Sequence, residues 1–356
     1  MKLRRLTGLL LGLTLLFCSC SPAAQEQDFS SPSETVFDTP SESEEKDDVS
    51  LPKTNPAPAQ GDFFTLCAYL PVSSMTQGAA AVAEEYAVSI AALDYLVLNT
   101  GAYWDEDGAL SLSDELLDAI KILQEKTDLW CTVNPQGALI REGMAGQSIA
   151  TPQKRQALAQ EIAAFAEQYH LAGIDIDWEF PLDDEWEDFS SFLLTLKEAL
   201  SQSSEPVSLS LALYPEKISL SKDAIAALDR IHVMAYDQFD SEGFHSTMQT
   251  AEDAVAFFTA LGACPQQLVL GIPAYGRPLD GSAQWVFYKD IGPESISGEN
   301  PDLVGDIFFN SAATAAAKTR YALRQNLGGV MVYQLLCDRS DQGALILACA
   351  NIVENP

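Results

Sequence analysis

From about residue 63 onward, short runs of apolar residues alternate with longer stretches that repeat at helical spacing. The apolar runs lie at 63–69, 94–99, 128–133, 171–178, 207–213, 231–236, 268–273 and 328–334. Most are nearly continuous, as strands covered on both faces are. The stretches of helical period lie between them at 78–91, 113–126, 153–169, 185–202, 219–229, 250–262 and 311–326, with 342–352 after the last run. Eight strand–helix units in about 295 residues is the count and size of a (β/α)8 TIM barrel. A doubly wound sheet is the alternative, but it ordinarily uses fewer strands. Thr151-Pro152 and Ser219 offer cap chemistry, and Thr250-Ala-Glu-Asp places acids where a first helical turn is expected.

One run carries unusual chemistry. In 171–181, Leu-Ala-Gly-Ile-Asp-Ile-Asp-Trp-Glu-Phe-Pro, the acids Asp175, Asp177 and Glu179 alternate with Ile174, Ile176 and Trp178. Side chains alternate across a strand, so one face presents three carboxyls and the other an apolar stripe. The apolar stripe belongs against helices. Burying an unpaired carboxylate costs several kcal/mol, so the acidic face either carries a function or lies on a solvated edge strand.

In a barrel of this kind, function gathers where the strands end. The expected ends carry Tyr69, Tyr103-Trp104, Asn134, Asp177 with Glu179, Tyr214, Tyr236-Asp237, Tyr275 followed by Arg277, and Tyr333-Gln334. Aromatic rings give flat platforms for sugar rings, while carboxylates and amides bond hydroxyls. On this reading Tyr69, Trp104, Asn134, Tyr214, Met234, Asp237, Tyr275, Arg277, Tyr333 and Gln334 are candidate substrate contacts. Trp285 and Tyr288 are candidate outer platforms. The span between the last two strands, about 273–328, leaves no room for a large insertion domain, so an open cleft is expected.

Composition narrows the partners. The 356-residue chain has a formal net charge of -31, which excludes nucleic acid and anionic membrane surfaces as electrostatic partners. No phosphate-binding glycine fingerprint sits between a strand and a helix. Seven cysteines and three histidines show no zinc-ligand spacing, so neither metal nor cofactor is expected. Lys2, Arg4 and Arg5 followed by the short apolar run Leu6–Phe17 read as a secretory leader over 1–20. Ser19-Cys20 resembles the processing site of bacterial lipoproteins, which makes Cys20 the expected lipidation site and the location extracytoplasmic. Ordinary cleavage and release is the alternative. Residues 21–61, rich in Ser, Pro, Glu and Asp, read as a disordered tether. The domain is expected over 62–356, as a monomer that meets a membrane only through its lipid.

Taken together, these residues resemble glycoside hydrolase family 18, the chitinase family. That family's Asp-Gly-x-Asp-x-Asp-x-Glu pattern corresponds to Ala172-Gly173-Ile174-Asp175-Ile176-Asp177-Trp178-Glu179, and its Met-x-Tyr-Asp to Met234-Ala235-Tyr236-Asp237. Leu268 to Arg277 and Gly328 to Val332 are similar as well. Three positions depart from the pattern. Ala172 replaces an aspartate, Thr132-Val-Asn-Pro replaces Ser-x-Gly-Gly, and Tyr333 stands where many members have a tryptophan. The resemblance implies substrate-assisted catalysis, in which the substrate's 2-acetamido oxygen is the nucleophile and an oxazolinium ring forms. It makes Glu179 the acid and then the base, has Asp177 orient the acetamido N–H, and has Asp175 share a proton with Asp177. Tyr236 donates to the acetamido oxygen and Asp237 contacts the same sugar. The substrate implied is a β-1,4-linked N-acetylglucosamine chain. N-glycan cores, peptidoglycan-type sugars and a non-catalytic sugar-binding role remain alternatives.

Overall fold

The structure is a computed structural model, and it describes residues 64–292 and 300–355. The expected leader, the tether and Cys20 lie outside the described residues. Eight parallel strands form the core of the fold: β1 (Thr65–Pro71), β2 (Tyr95–Trp104), β4 (Asp128–Pro135), β5 (Gly173–Ile176), β6 (Ser208–Leu213), β7 (Arg230–Val233), β8 (Leu268–Pro273) and β13 (Gly329–Tyr333). They run in order around a ring that closes where β1 pairs with both β13 and β2. The (β/α)8 barrel is therefore complete, and its strands match the eight apolar runs.

Helices α1 (Ala79–Glu85), α2 (Ala87–Ala91), α3 (Asp114–Leu123), α4 (Gly137–Glu142), α5 (Pro152–Gln168), α6 (Trp186–Leu200), α7 (Lys222–Ala227), α8 (Met248–Leu261), α9 (Ala312–Arg324) and α10 (Leu345–Glu354) surround the ring. None of the described helices is long and apolar enough to cross a membrane. Thr151 caps α5 through the Lys154 N–H, with Pro152 in the first turn, as expected. Ser219 is not a cap: Ser221 takes that role for α7. Helix α8 begins earlier than its acids suggest. Thr247 and Thr250 cap it reciprocally, which leaves Glu252 and Asp253 beyond the first turn.

Alternation along the strands separates two cores. On β1, Leu66, Ala68 and Leu70 face the helices, whereas Cys67 and Tyr69 face inward. On β5, Ile174 and Ile176 join the outer core. Gly173 and Asp175 therefore point into the barrel, in line with Asp177 beyond. The interior is aromatic and polar, with Tyr69, Tyr95, Trp130, Tyr236 and Tyr275 among its members. Two glycines admit that bulk. A Cβ on Gly173 would meet the Trp130 indole at 2.2 Å, and one on Gly271 would approach Tyr236 Cε1 to 2.8 Å.

Two small additions were not legible in the sequence. β3 (Leu110–Leu112) folds back antiparallel on β2. Between β8 and α9, β9 (Tyr275–Pro278), β10 (Val286–Phe287), β11 (Leu303–Val304) and β12 (Ile307–Phe308) form a second, antiparallel sheet in the order β10-β9-β12-β11. Strands of two residues are too short for period-two alternation to register. The insertion is small, as its length requires, but it brings Trp285 over the rim.

Candidate active site

Register builds the floor of the site. Asp175 on β5 is level with Thr132 on β4 and with Ser210 on β6. Both hydroxyls donate to it, Thr132 Oγ1 to Oδ2 at 3.2 Å and Ser210 Oγ to Oδ1 at 2.5 Å. Tyr69 donates to Oδ2 at 2.8 Å, and the His232 ring lies 3.2 Å from Oδ1. Asp175 is wholly buried and saturated with donors. Tyr69 is 1% exposed, so it supports this carboxyl and is not a substrate contact. His232 and Ser210 were not singled out from sequence, and Thr132 was noted only as a departure from the family pattern. Strand register was the missing information.

One layer higher the surroundings change. The Asp177 N–H donates to Asn134 Oδ1 at 2.8 Å, so Asn134 positions this backbone. Asp177 Oδ1 is buried and has no partner among the described residues. Burial pushes the Asp177 pKa well above the usual carboxylate range, helped by the charges of Glu179 and Asp175. No hydrogen bond joins Asp175 and Asp177 among the described residues. Donors crowd Asp175, while burial favours the proton on Asp177.

Glu179 is exposed at the rim. Protein walls on its other sides still remove hydration, and together with the Asp237 charge they push its pKa up. Tyr236 is 6% exposed, and its phenol lies within the fields of Asp177 and Glu179. Burial first, and then neighbouring acidic groups, keep that phenol neutral and able to donate. Glu179, Asp177 and the Tyr236 phenol therefore meet at one end of the barrel.

A third group lies beside them. Asp237, at a positive φ of 59, accepts from Arg277 Nη1 at 2.6 Å and from Tyr275 at 2.9 Å. Burial raises its pKa against the lowering pull of those two partners. Behind it, His245 stacks on Tyr275, and burial depresses its pKa to about 3. The buried Lys318 donates to Ser246 O, Ser246 Oγ and Asn310 Oδ1 at 2.6, 2.7 and 2.8 Å. Burial lowers its pKa to about 7.

Several expected contacts need correction. Trp104 is fully buried, donates to Ser148 Oγ at 2.9 Å and packs on Trp178, so it belongs to the outer core. Tyr275 is 1% exposed because Trp285 lies flat on it at 3.9 Å. Gln334 is buried and caps its own turn, its Oε1 accepting from the Leu336 N–H at 3.2 Å. Met234 is packed into the barrel interior. Tyr288 is buried and offers no platform. Tyr214, half-buried beside the exposed Phe180, and Tyr333, stacked on Tyr236 at 5.7 Å, remain at the cleft. Trp285 is 36% exposed and meets Tyr333 edge-on at 6.2 Å, leaving its outer face free for a sugar ring.

The family model for glycosyl hydrolases family 18 matches residues 142–338, which contain every one of these carboxyls. This chain belongs to that family. The probable chitinase 2 of Drosophila melanogaster is 27% identical over 185 residues, covering 45% of this chain and 37% of the fly protein. Chitotriosidase-1 of Mus musculus is 26% identical over 254 residues, covering 53% of this chain and 54% of the mouse protein. The chain thus spans about half or less of these curated relatives. Among solved structures, a chitinase from Bacteroides thetaiotaomicron superposes with a TM-score of 0.68 at 20% identity, covering 82% of this chain and 97% of that one. A family 18 chitinase from Cycas revoluta, solved with (GlcNAc)3, gives 0.64 at 18%, covering 81% and 99%. These superpositions speak for the barrel. Within the family 18 site, Thr132 and Asn134 from the divergent third-strand segment serve the carboxyls directly, one bonding Asp175 and the other the Asp177 backbone.

Proposed function

We propose that this protein is a retaining glycoside hydrolase that cleaves β-1,4-linked N-acetylglucosamine chains with help from the substrate's acetamido group. The observation that carries the reading is the unpartnered Asp177 Oδ1, buried between a proton-favouring Glu179 and a neutral Tyr236 phenol. A buried acceptor without a donor costs about 1–3 kcal/mol, and an acetamido N–H supplies the missing donor. Tyr236 then donates to the acetamido oxygen and aims it at the anomeric carbon. Glu179 protonates the leaving oxygen, the acetamido oxygen closes on the anomeric carbon, and the glycosidic bond breaks. Glu179, now a carboxylate, takes a proton from water as that water opens the oxazolinium ring. Ordinary retaining enzymes use a carboxylate nucleophile instead, and this family is among the exceptions.

Relatives named as chitinases and a neighbour solved with (GlcNAc)3 support the substrate class. Tyr333, in place of an indole, and a small insertion favour soluble oligomers or glycoprotein glycans alongside chitin. The proposal includes an extracytoplasmic, lipid-anchored location resting on residues 1–20, which membrane fractionation of Cys20→Ala tests. For the activity, chitin oligomers, a high-mannose glycoprotein and peptidoglycan are incubated in parallel and the products weighed by mass spectrometry. N-acetylglucosamine oligomers cut to shorter products are expected by mass, with retained anomeric configuration in 1H NMR of the fresh products. Retention on chitin without any product would overturn the reading in favour of a lectin.

A further inference from the structure

The hydrogen bonds beneath Asp175 end on an imidazole for which the reaction above has no use. His232 stands on β7, wholly buried in the barrel. Its Nδ1 lies 2.6 Å from the Tyr69 hydroxyl and 3.2 Å from Asp175 Oδ1, and its Nε2 lies 2.9 Å from the Tyr95 hydroxyl. Tyr69 has one proton, which it gives to Asp175 Oδ2 at 2.8 Å. A contact of 2.6 Å between two polar atoms needs a proton between them. With Asp175 a carboxylate, which only accepts, Tyr69's proton is committed, so Nδ1 supplies the one between them and Nε2 is left to accept from Tyr95. The Nδ1–H then serves Tyr69 and Asp175 together.

We propose that His232 is a positioning residue for the catalytic carboxyls: by donating from Nδ1 it holds Asp175 as the carboxylate and so keeps the pair's proton on Asp177. This rests on the reading of Asp177 and Glu179 as the reacting groups. Hydrogen bonds to a charged form favour that form. A charged Asp175 in turn disfavours charge on its neighbour, and it is one of the causes that push Asp177 up. Every strand contributes to the surroundings of the imidazole. β1 brings Tyr69 and Cys67, β2 brings Tyr95, β5 brings Asp175, and Arg230 lies two residues back on β7 itself, where Tyr95 and Cys67 feel its charge. β4 presents the Trp130 ring at 6.0 Å and Thr132, and β6 presents Ser210. The inward residues of β8 and β13 are Val269 and Met331, which do not titrate. Asp175 is therefore the only carboxylate among the described residues that the ring contacts.

Two substitutions separate this role from simple packing. His232→Asn keeps an N–H near the Nδ1 position, while His232→Leu fills similar space with no donor. Hydrolysis of a chromogenic N-acetylglucosamine oligomer is followed across pH. Without the donor, Asp175 takes up protons more readily, so the acid limb of kcat moves to higher pH in His232→Leu. The expected reading is a loss about tenfold larger at the acid end than on the plateau, with the wild-type profile kept in His232→Asn. Equal loss at every pH, or the same profile in both variants, overturns the proposal.

The tautomer is read without turnover by 15N NMR of histidine-labelled wild-type protein. The chain has three histidines, and the His232→Asn spectrum identifies the relevant one. A protonated Nδ1 at neutral pH is expected; a bare Nδ1 overturns the proposal. Wild-type protein that shows the Nδ1–H signal yet cleaves no substrate would defeat the active-site reading and leave this hydrogen bond standing.

Discussion

Asp175 and Asp177 stand two residues apart on one face of one strand, yet they occupy opposite chemical situations. Asp175 is met by Tyr69, Thr132 and Ser210 hydroxyls and by His232, so both of its oxygens are engaged. Asp177 Oδ1 has no partner among the described residues, and burial favours its protonated form. The difference comes from height in the barrel. At the level of Asp175, neighbouring strands lie in register and supply donors from each side. One layer up the strands are ending, and the remaining partner must come from outside. A saturated carboxyl anchors the floor, while an unsaturated one waits for a ligand.

The contrast can be tested in order of expected effect. Glu179→Gln removes the acid and should cut kcat by at least about a hundredfold with the fold intact, read by steady-state kinetics beside circular dichroism. Near-normal turnover would end the assignment. Lys318 comes next, as a second buried charge with a different outcome. Its pKa is near 10.5 unfolded and about 7 folded. The unfolded chain therefore holds more protons between those values, and stability should rise with pH there, by about 1.4 kcal/mol per unit. Denaturant titrations of wild type and Lys318→Met at pH 7 and pH 9 should diverge in that sense.

Ser210→Ala strips one donor from the floor and should cost about 1–3 kcal/mol of stability, with less effect on the chemistry than Glu179→Gln. An unchanged denaturation midpoint would mean that the floor is not saturated as described. Asp237→Asn probes the rim. The Asp237 charge helps raise the Glu179 pKa, so its removal should let Glu179 ionise at lower pH. The general acid must be protonated to act, so the basic limb of kcat/KM should move to lower pH. Trp285→Ala carries the smallest effect, a rise of a few fold in KM for longer oligomers (about 1 kcal/mol for one lost stacking face) with kcat retained.

Much of the barrel was legible because eight apolar runs of strand length cannot be buried in many other ways. The reactive carboxyls were legible because Asp-Ile-Asp-Trp-Glu puts all its acids on one side of any strand. The aromatic residues were not. Trp104, Tyr69, Tyr275 and Tyr333 all stand at or beside strand ends, yet one packs under the helices, one under a carboxyl, one beneath Trp285, and only one remains in the cleft. Sequence position shows that a ring lies near the rim; it does not show what covers that ring. The two-residue strands between β8 and α9 stayed hidden because pairing, not alternation, creates them.

By itself, the sequence determined the eight strands of the barrel, the facing of Asp175, Asp177 and Glu179, and the meeting of Tyr236 with them at one end. Those features follow from local periodicity and from the closure of a parallel ring. Only the tertiary structure decided which carboxyl is saturated and which is left open, that His232 stands behind Asp175, and that Trp285 covers Tyr275. The first two depend on register between strands apart in sequence, where cross-strand distance sets whether a donor reaches a carboxyl, and the third on the pairing of β10 with β9.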